Sequence, residues 1–110
     1  MPIQRLNPPS LSKPTGYSHA TLVTAGRQVH VSGQVALNAS GEIVGKGDIA
    51  AQTEQVYQNL KAALSAAGAD MRHVFKLVTY VVDLTPARAA EIRKVRLAHM
   101  TEGDYPASTM

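Results

Sequence analysis

The stretch QVHVSGQVAL, residues 28–37, carries polar side chains at regular spacing that could bind a small ligand. Its small and apolar residues share one parity: Val29, Val31, Gly33 and Val35. Its polar residues share the other: Gln28, His30, Ser32 and Gln34. This period-two alternation predicts a strand with one apolar face. Two interpretations of the polar face stay open: it meets water, or it lines a pocket where chemistry happens.

Other chemical motifs are missing from the chain. The four histidines, His19, His30, His73 and His99, show no i,i+4 pairing and have no carboxylate at ligand spacing, so no metal site is predicted. Cysteine is absent, which excludes disulfides, thiol catalysis and cysteine-bound zinc. Ser32 does not lie in a Gly-x-Ser-x-Gly elbow, and no phosphate loop or dinucleotide fingerprint occurs.

The composition predicts a single domain over residues 1–110. With 45% apolar and 17% charged residues, the chain is typical of a soluble globular protein, and it lacks both a membrane span and a secretory signal, so we expect it in the cytoplasm. The net charge is +3, with much of the basic character in RKVR, residues 93–96, which we interpret as solvated surface. Phe75 is the only phenylalanine and tryptophan is absent, so nucleic acid is not expected as the main ligand.

The elements that must position these residues begin with strands. Four prolines, Pro2, Pro8, Pro9 and Pro14, predict an extended arm over residues 1–16. Residues 17–23 predict a first strand and residues 28–37 a second. The sequence ALNASGEIVG, residues 36–45, predicts a hairpin around an Asn-Ala-Ser-Gly turn.

Two helices follow. Asp48 as N-cap and Gly68 as a C-terminal stop predict the first, with an apolar stripe of Ile49, Thr53, Val56, Tyr57, Leu60, Ala63, Leu64 and Ala67. Thr85 as N-cap and Pro86 in the first turn predict the second. Its buried face stays open between two stripes: Ala87, Ala90, Leu97 and Ala98, or Ile92, Val95 and His99.

Between the helices, HVFKLVTYVVDL, residues 73–84, predicts a strand that is apolar on both faces. One helix layer covers one face, so a second copy of the chain is the simplest cover for the other. The closing DYPASTM predicts a turn that leads into another strand. The order β-β-β-α-β-α predicts an α+β fold with both helices on one face of a sheet.

Five segments follow one another in a characteristic order and spacing: GYSHA, the Ser-Gly-Gln strand, the helix with NLKAALSAAGA, the strand ending in VVDL, and YPAST. In this order and spacing, nearly the whole chain resembles the YjgF/Rid family of reactive-intermediate deaminases. This resemblance implies a chorismate-mutase-like fold, a homotrimer whose sheets form a central barrel, and ligand clefts between subunits. It also implies hydrolysis of enamines and imines, such as 2-iminobutanoate and 2-iminopropanoate, to 2-oxo acids and ammonia without a cofactor.

By this resemblance, substrate-binding positions fall on Tyr17, the cleft tyrosine, on Ser32, the hydroxyl beside the ligand, and on Gly33 and Gln34. Two further positions depart from the family. Ser108 stands where deaminases carry an arginine that forks onto the substrate carboxylate, a contact that serine cannot reproduce. Glu91 stands where an asparagine is usual; it would repel an anionic ligand if it faced the cleft, and solvent exposure is the alternative.

The sequence also resembles only the earlier part of the family domain. The chain stops at Met110, before the last strands of the family and their water-orienting glutamate. Three functions therefore stay open: an imine deaminase or a relative acting on a related small molecule, a non-catalytic small-molecule-binding or regulatory trimer, and an endoribonuclease or translation inhibitor that uses Arg93 and Arg96.

Overall fold

A computed structural model describes residues 3–110 of the chain as an α+β fold. Residues 1 and 2, where the predicted arm begins, lie outside the described residues. The elements are β1 (Ile3–Leu6), β2 (Ala20–Val23), α1 (Ile49–Ala66), a 3₁₀ turn (Met71–His73), β3 (Lys76–Val78), α2 (Pro86–Ala98) and β4 (Ala107–Thr109). Part of the predicted arm is therefore a paired strand.

Both predicted ends of α1 are confirmed. The Asp48 carboxylate accepts a hydrogen bond of 3.1 Å from the backbone N–H of Ala51, which satisfies a donor in the first turn. Gly68 adopts a φ of 75° just after the helix, and the Ala69 N–H donates to the Leu64 carbonyl at 2.9 Å. This left-handed glycine lets the chain turn back over the last carbonyls of the helix.

The start of α2 is also confirmed, and the structure resolves its buried face. The Thr85 hydroxyl accepts from the Arg88 N–H at 3.1 Å, and Pro86 occupies the first turn. Of the two candidate stripes, the one containing Ile92 packs inward, and Arg96, one turn further on, is buried with it. The prediction that RKVR is solvated is therefore wrong for Arg96.

The strands form two small sheets among residues 3–110, whereas a single sheet was predicted. β1 pairs antiparallel with β2, and β3 pairs parallel with β4. The two pairs are linked by a bridge between Ser18 and Ala107 and by a 2.7 Å hydrogen bond from the Thr21 hydroxyl to the Phe75 carbonyl. The α+β class with two helices is confirmed, and the strand closing the chain is β4.

Three predicted strands are shorter or missing. Residues 28–37 form no strand: Val31 packs against the core, Val29 and Val35 are exposed, and only Leu37 makes an isolated bridge, to Ile43. The predicted strand 17–23 begins at Ala20, and the predicted strand 73–84 is confined to Lys76–Val78. The physical reason is that alternation specifies which side chains share a face, whereas a strand also requires a partner backbone.

The core lies between α1, α2 and the small sheets. Thr53, Tyr57 and Leu64 of the predicted α1 stripe are buried, and Tyr57 and Leu64 cluster with Met71. The His99 ring at the end of α2 stacks on Tyr57 with ring centroids 5.4 Å apart. His99 also bonds to the Glu54 carboxylate at 2.9 Å, so one histidine ties the two helices together.

An apolar surface on β3 and the segment after it is left exposed by the other residues of the described range 3–110. Tyr80 is 93% exposed and Val82 is 80% exposed, and Val78 on the same parity is also exposed. These residues come from the stretch predicted to be apolar on both faces. Among residues 3–110, no helix has the length and apolar character needed to cross a bilayer.

Candidate functional site

Tyr17 is positioned by a junction between the segment before β2 and the start of β4. The backbone N–H of the buried Ser18 donates to the Pro106 carbonyl at 2.8 Å, and its hydroxyl donates to the Tyr105 carbonyl at 2.7 Å. Gly16 has a φ of 70°, and a Cβ there would lie 2.6 Å from the Leu97 side chain. Glycine adopts this left-handed φ without strain, whereas another residue would be strained and would displace the end of the Leu97 side chain. Tyr17 therefore lies in a segment bonded to the start of β4.

The half-buried ring of Tyr17 packs against a histidine that sequence reasoning did not connect with it. The rings of Tyr17 and His19 meet edge to face at a centroid distance of 5.4 Å and an angle of 79°. His19 is held by two contacts. Its ring Nε2 lies 2.6 Å from the Ser12 carbonyl oxygen, and its backbone N–H donates to Asn7 Oδ1 at 2.8 Å. These contacts restrict the direction of the tyrosine ring.

Ser108 lies half-buried on β4, next to a buried charge. Arg96 Nη1 donates to Ser108 Oγ at 3.3 Å, and Arg96 is only 4% exposed. The Arg96 Nε has no hydrogen-bond partner in the described chain, and burial lowers the pKa of this guanidinium. A buried charge without an opposite partner costs several kcal/mol, so Arg96 in this position lowers the free energy of unfolding. The sequence feature that could have indicated its burial is its position four residues after Ile92, which puts both residues on the same face of α2.

The Tyr57 phenol does not neutralise Arg96, although the two side chains interact. Burial raises the pKa of Tyr57 to about 12, with Arg96 opposing the shift. Tyr57 is therefore uncharged at neutral pH. No ion pair found among residues 3–110 includes Arg96; the carboxylates in those pairs are Glu54, Asp70 and Asp104.

Gly33 and Gln34, the second and third residues of the Ser-Gly-Gln motif, line an open groove of about 490 Å³. Its other lining residues are Val35, Leu37, Asn38, Ala39, Asn59 and Ala62. Asn59 of α1 holds the segment in place by donating to the carbonyls of Val35 at 3.1 Å and Leu37 at 3.0 Å. Sequence reasoning missed Asn59, whose amide interrupts the apolar face of α1 at this point.

The motif itself keeps its hydrogen-bonding groups accessible. Ser32 is exposed, and the Gln34 amide turns back to donate to the Ser32 carbonyl at 3.2 Å. Nothing lies within 4 Å of the point that a Cβ on Gly33 would occupy. The space beside Gly33 is therefore open as far as residues 3–110 are concerned.

The six predicted site residues fall into two groups and one separate residue. Tyr17 and Ser108 belong to the junction at β4, whereas Ser32, Gly33 and Gln34 belong to the groove beside α1. Glu91 is exposed on α2. In the described part of the chain, no hydrogen bond or ring contact joins the first group to the second or to Glu91.

A further groove, of about 390 Å³, lies at the carboxyl ends of the two helices. Two of its charged residues pair with each other: Arg72 bonds to the Asp70 carboxylate at 2.8 Å and holds the pKa of that group at about 2. Within residues 3–110, no cluster of three or more histidine or carboxylate side chains could hold a metal ion.

Comparisons with known proteins agree on one family. The profile described as Endoribonuclease L-PSP matches residues 9–110. The crystal structure of a Rid family protein of Yersinia pestis, YyfB, superposes with a TM-score of 0.89 at 43% identity, covering 99% of this chain and 83% of that one.

Two curated relatives are similar over shorter lengths. A RutC family protein of Pyrococcus horikoshii is 45% identical over 66% of this chain and 56% of its own length. The 2-iminobutanoate/2-iminopropanoate deaminase of Rattus norvegicus is 38% identical over 62% of this chain and 48% of its own length. The chain spans about half the length of the curated relatives it matches.

Proposed function

Because this chain belongs to the Endoribonuclease L-PSP family, the YjgF/Rid proteins, we propose that it hydrolyses small imines to 2-oxo compounds and ammonia. The proposal is supported by its similarity to the 2-iminobutanoate/2-iminopropanoate deaminases of rat, at 38% identity, and of human, at 35%. The substrate class is a small 2-imino acid or the enamine in equilibrium with it.

The proposed reaction depends mainly on orienting the C=N bond and a water molecule, and less on making either of them more reactive. Water adds to the carbon of the C=N bond, and the resulting carbinolamine expels ammonia, leaving a C=O bond. Imines react with water unaided, so holding the C=N bond and one water in a reactive geometry supplies most of the acceleration. Tyr17 and Ser32 are the proposed hydroxyl groups at the reacting atoms, Gly33 and Gln34 border the ligand, and Ser108 lies at its carboxylate end.

The observation that carries this proposal is the junction at β4. The 2.8 Å bond from the Ser18 N–H to the Pro106 carbonyl puts Tyr17 in the segment beside the strand that bears Ser108. A hydroxyl that can act on the C=N bond and a group for the carboxylate are thereby held in adjacent segments. Glu91 is given no contact with ligand in this proposal, because it is exposed on α2.

We further propose that the chain works as a homotrimer with its clefts between subunits. The uncovered apolar surface around Tyr80 and Val82 supports this assembly, because such a surface is costly to leave in water. Assembly would bring the junction of one copy to the Ser-Gly-Gln groove of a neighbour; among the described residues of one copy, the two groups share no hydrogen bond.

The proposal is tested by ammonia release from 2-iminopropanoate generated in situ by an amino-acid oxidase. We expect the protein to accelerate hydrolysis, and Tyr17→Phe and Ser32→Ala each to reduce the acceleration about 100-fold, a magnitude typical of losing a positioned proton-transfer group. His30→Gln, which changes an exposed residue of the same stretch, serves as the control and should retain the wild-type rate. An unaccelerated rate with folded wild-type protein would contradict the deaminase proposal.

A non-catalytic ligand-binding role is the second candidate, and Ser108 is the observation that favours it. A serine offers one hydroxyl, whereas an arginine guanidinium would donate hydrogen bonds to both carboxylate oxygens. The substrate is therefore oriented less firmly by serine than by arginine. Under this candidate, pyruvate binds to the protein while ammonia release stays at the uncatalysed rate. Accelerated hydrolysis that disappears with Tyr17→Phe rules it out.

A further inference from the structure

The guanidinium of Arg96 is an uncompensated positive charge within the described chain. It is 4% exposed, its Nε has no hydrogen-bond partner, and no carboxylate among residues 3–110 forms an ion pair with it. An arginine side chain stays protonated at any physiological pH. The one hydrogen bond found for this guanidinium runs from Nη1 to Ser108 Oγ, at 3.3 Å.

This hydrogen bond determines how Ser108 can behave. A serine hydroxyl has two acceptor lone pairs and one O–H donor. Arg96 occupies a lone pair, and no other hydrogen bond of the Ser108 side chain occurs in the described chain, so the O–H remains available. Ser108 is half-buried, whereas Arg96 is almost fully buried, so of the two residues Ser108 is the more accessible to a ligand.

We propose that Arg96 and Ser108 together form a subsite for one anionic oxygen of the ligand, with Ser108 donating the hydrogen bond and Arg96 supplying the positive charge behind it. The inference rests on the proposed function for the identity of the ligand, a small 2-imino or 2-oxo carboxylate. Arg96 is thus a positioning residue that acts through Ser108. A single hydroxyl binds one oxygen, so this subsite distinguishes ligands mainly by their charge and less by the shape of the carboxylate.

The test compares two probes of similar size, pyruvate and the uncharged pyruvamide, by ligand-observed NMR titration of the full chain. We expect the wild-type protein to bind pyruvate about 10-fold more tightly, as a charge-assisted hydrogen bond allows. Ser108→Ala and Arg96→Met should each bring the ratio of the two dissociation constants close to one. Ser108→Thr, which keeps the hydroxyl, should restore the preference for pyruvate.

Arg93→Met is the matched control, because it removes a positive charge from the same helix without touching Ser108. It should leave the ratio within about twofold of wild type, which separates a local contact from a general effect of net charge. If Arg96→Met does not fold, Ser108→Ala remains decisive, since it leaves the buried arginine in place. A preference that survives Ser108→Ala, or that survives Arg96→Met in folded protein, overturns the subsite.

The outcome is distinguishable from failure of the deaminase proposal. If imine hydrolysis is accelerated but the preference for pyruvate over pyruvamide is unchanged by substitution of Arg96 or Ser108, the subsite is refuted and the deaminase proposal stands. A preference that depends on Arg96 and Ser108 without accelerated hydrolysis refutes the deaminase and supports the subsite as part of a binding protein.

Discussion

Replacing Gly45 by alanine is expected to lower the free energy of unfolding by about 3 kcal/mol, a large share of the stability of a small domain. Gly45 has a φ of 75°, which costs an alanine roughly 1–2 kcal/mol. The new Cβ would also lie 2.7 Å from the Ala51 Cβ and 3.0 Å from the backbone nitrogen of Gln52. Those atoms belong to the first turn of α1 and cannot move without disturbing the helix.

Gly47→Ala is the matched control for this prediction. Gly47 has the same φ of 75°, but nothing lies within 4 Å of its Cβ position. It should therefore show only the same conformational cost, roughly 1–2 kcal/mol. Urea denaturation of both variants and wild type at one protein concentration measures the difference. Equal losses for the two variants would mean that the contact between Gly45 and the start of α1 contributes nothing.

The second large effect is expected from the double substitution Tyr80→Asp and Val82→Asp, which should convert the proposed trimer into monomers. Burying carboxylates without partners at an interface costs several kcal/mol, so association should weaken on the order of 1,000-fold. Sedimentation equilibrium measures the change. Because the cleft is proposed to lie between copies, accelerated ammonia release should be lost as well.

Leu11→Asp provides the control for the interface. Leu11 is also an exposed apolar residue, but it belongs to the segment between β1 and β2 and not to the apolar stretch that follows β3. The variant should remain associated and active. A double variant that still sediments as the wild type does would show that Tyr80 and Val82 lie outside any interface.

Local signals predicted the helices well because each end depends on a few neighbouring residues. Asp48, Gly68 and Thr85 act through hydrogen bonds within three or four positions, so their roles are readable from spacing. The sheets were predicted less well. Alternation in residues 28–37 is real, but pairing depends on a distant backbone that no local pattern specifies.

The candidate site shows the same division. Resemblance supplied Tyr17 and Ser108, and the structure adds that their segments are joined through Ser18, a residue with no motif of its own. Arg96 could not be assigned from composition, because a basic cluster is usually solvated. Its burial follows from the turn of α2 that it shares with Ile92. Because Arg96 is buried, it is a poor candidate for binding RNA, which weakens the endoribonuclease alternative that would use Arg93 and Arg96.

The central claim is that copies of this chain complete one another's imine-hydrolysing cleft. The most direct measurement follows ammonia release per subunit, from 2-iminopropanoate, and sedimentation on the same samples as the protein is diluted through its dissociation range. We expect the rate per subunit to fall in step with the fraction of trimer. A monomer that retains the full rate per subunit would contradict it.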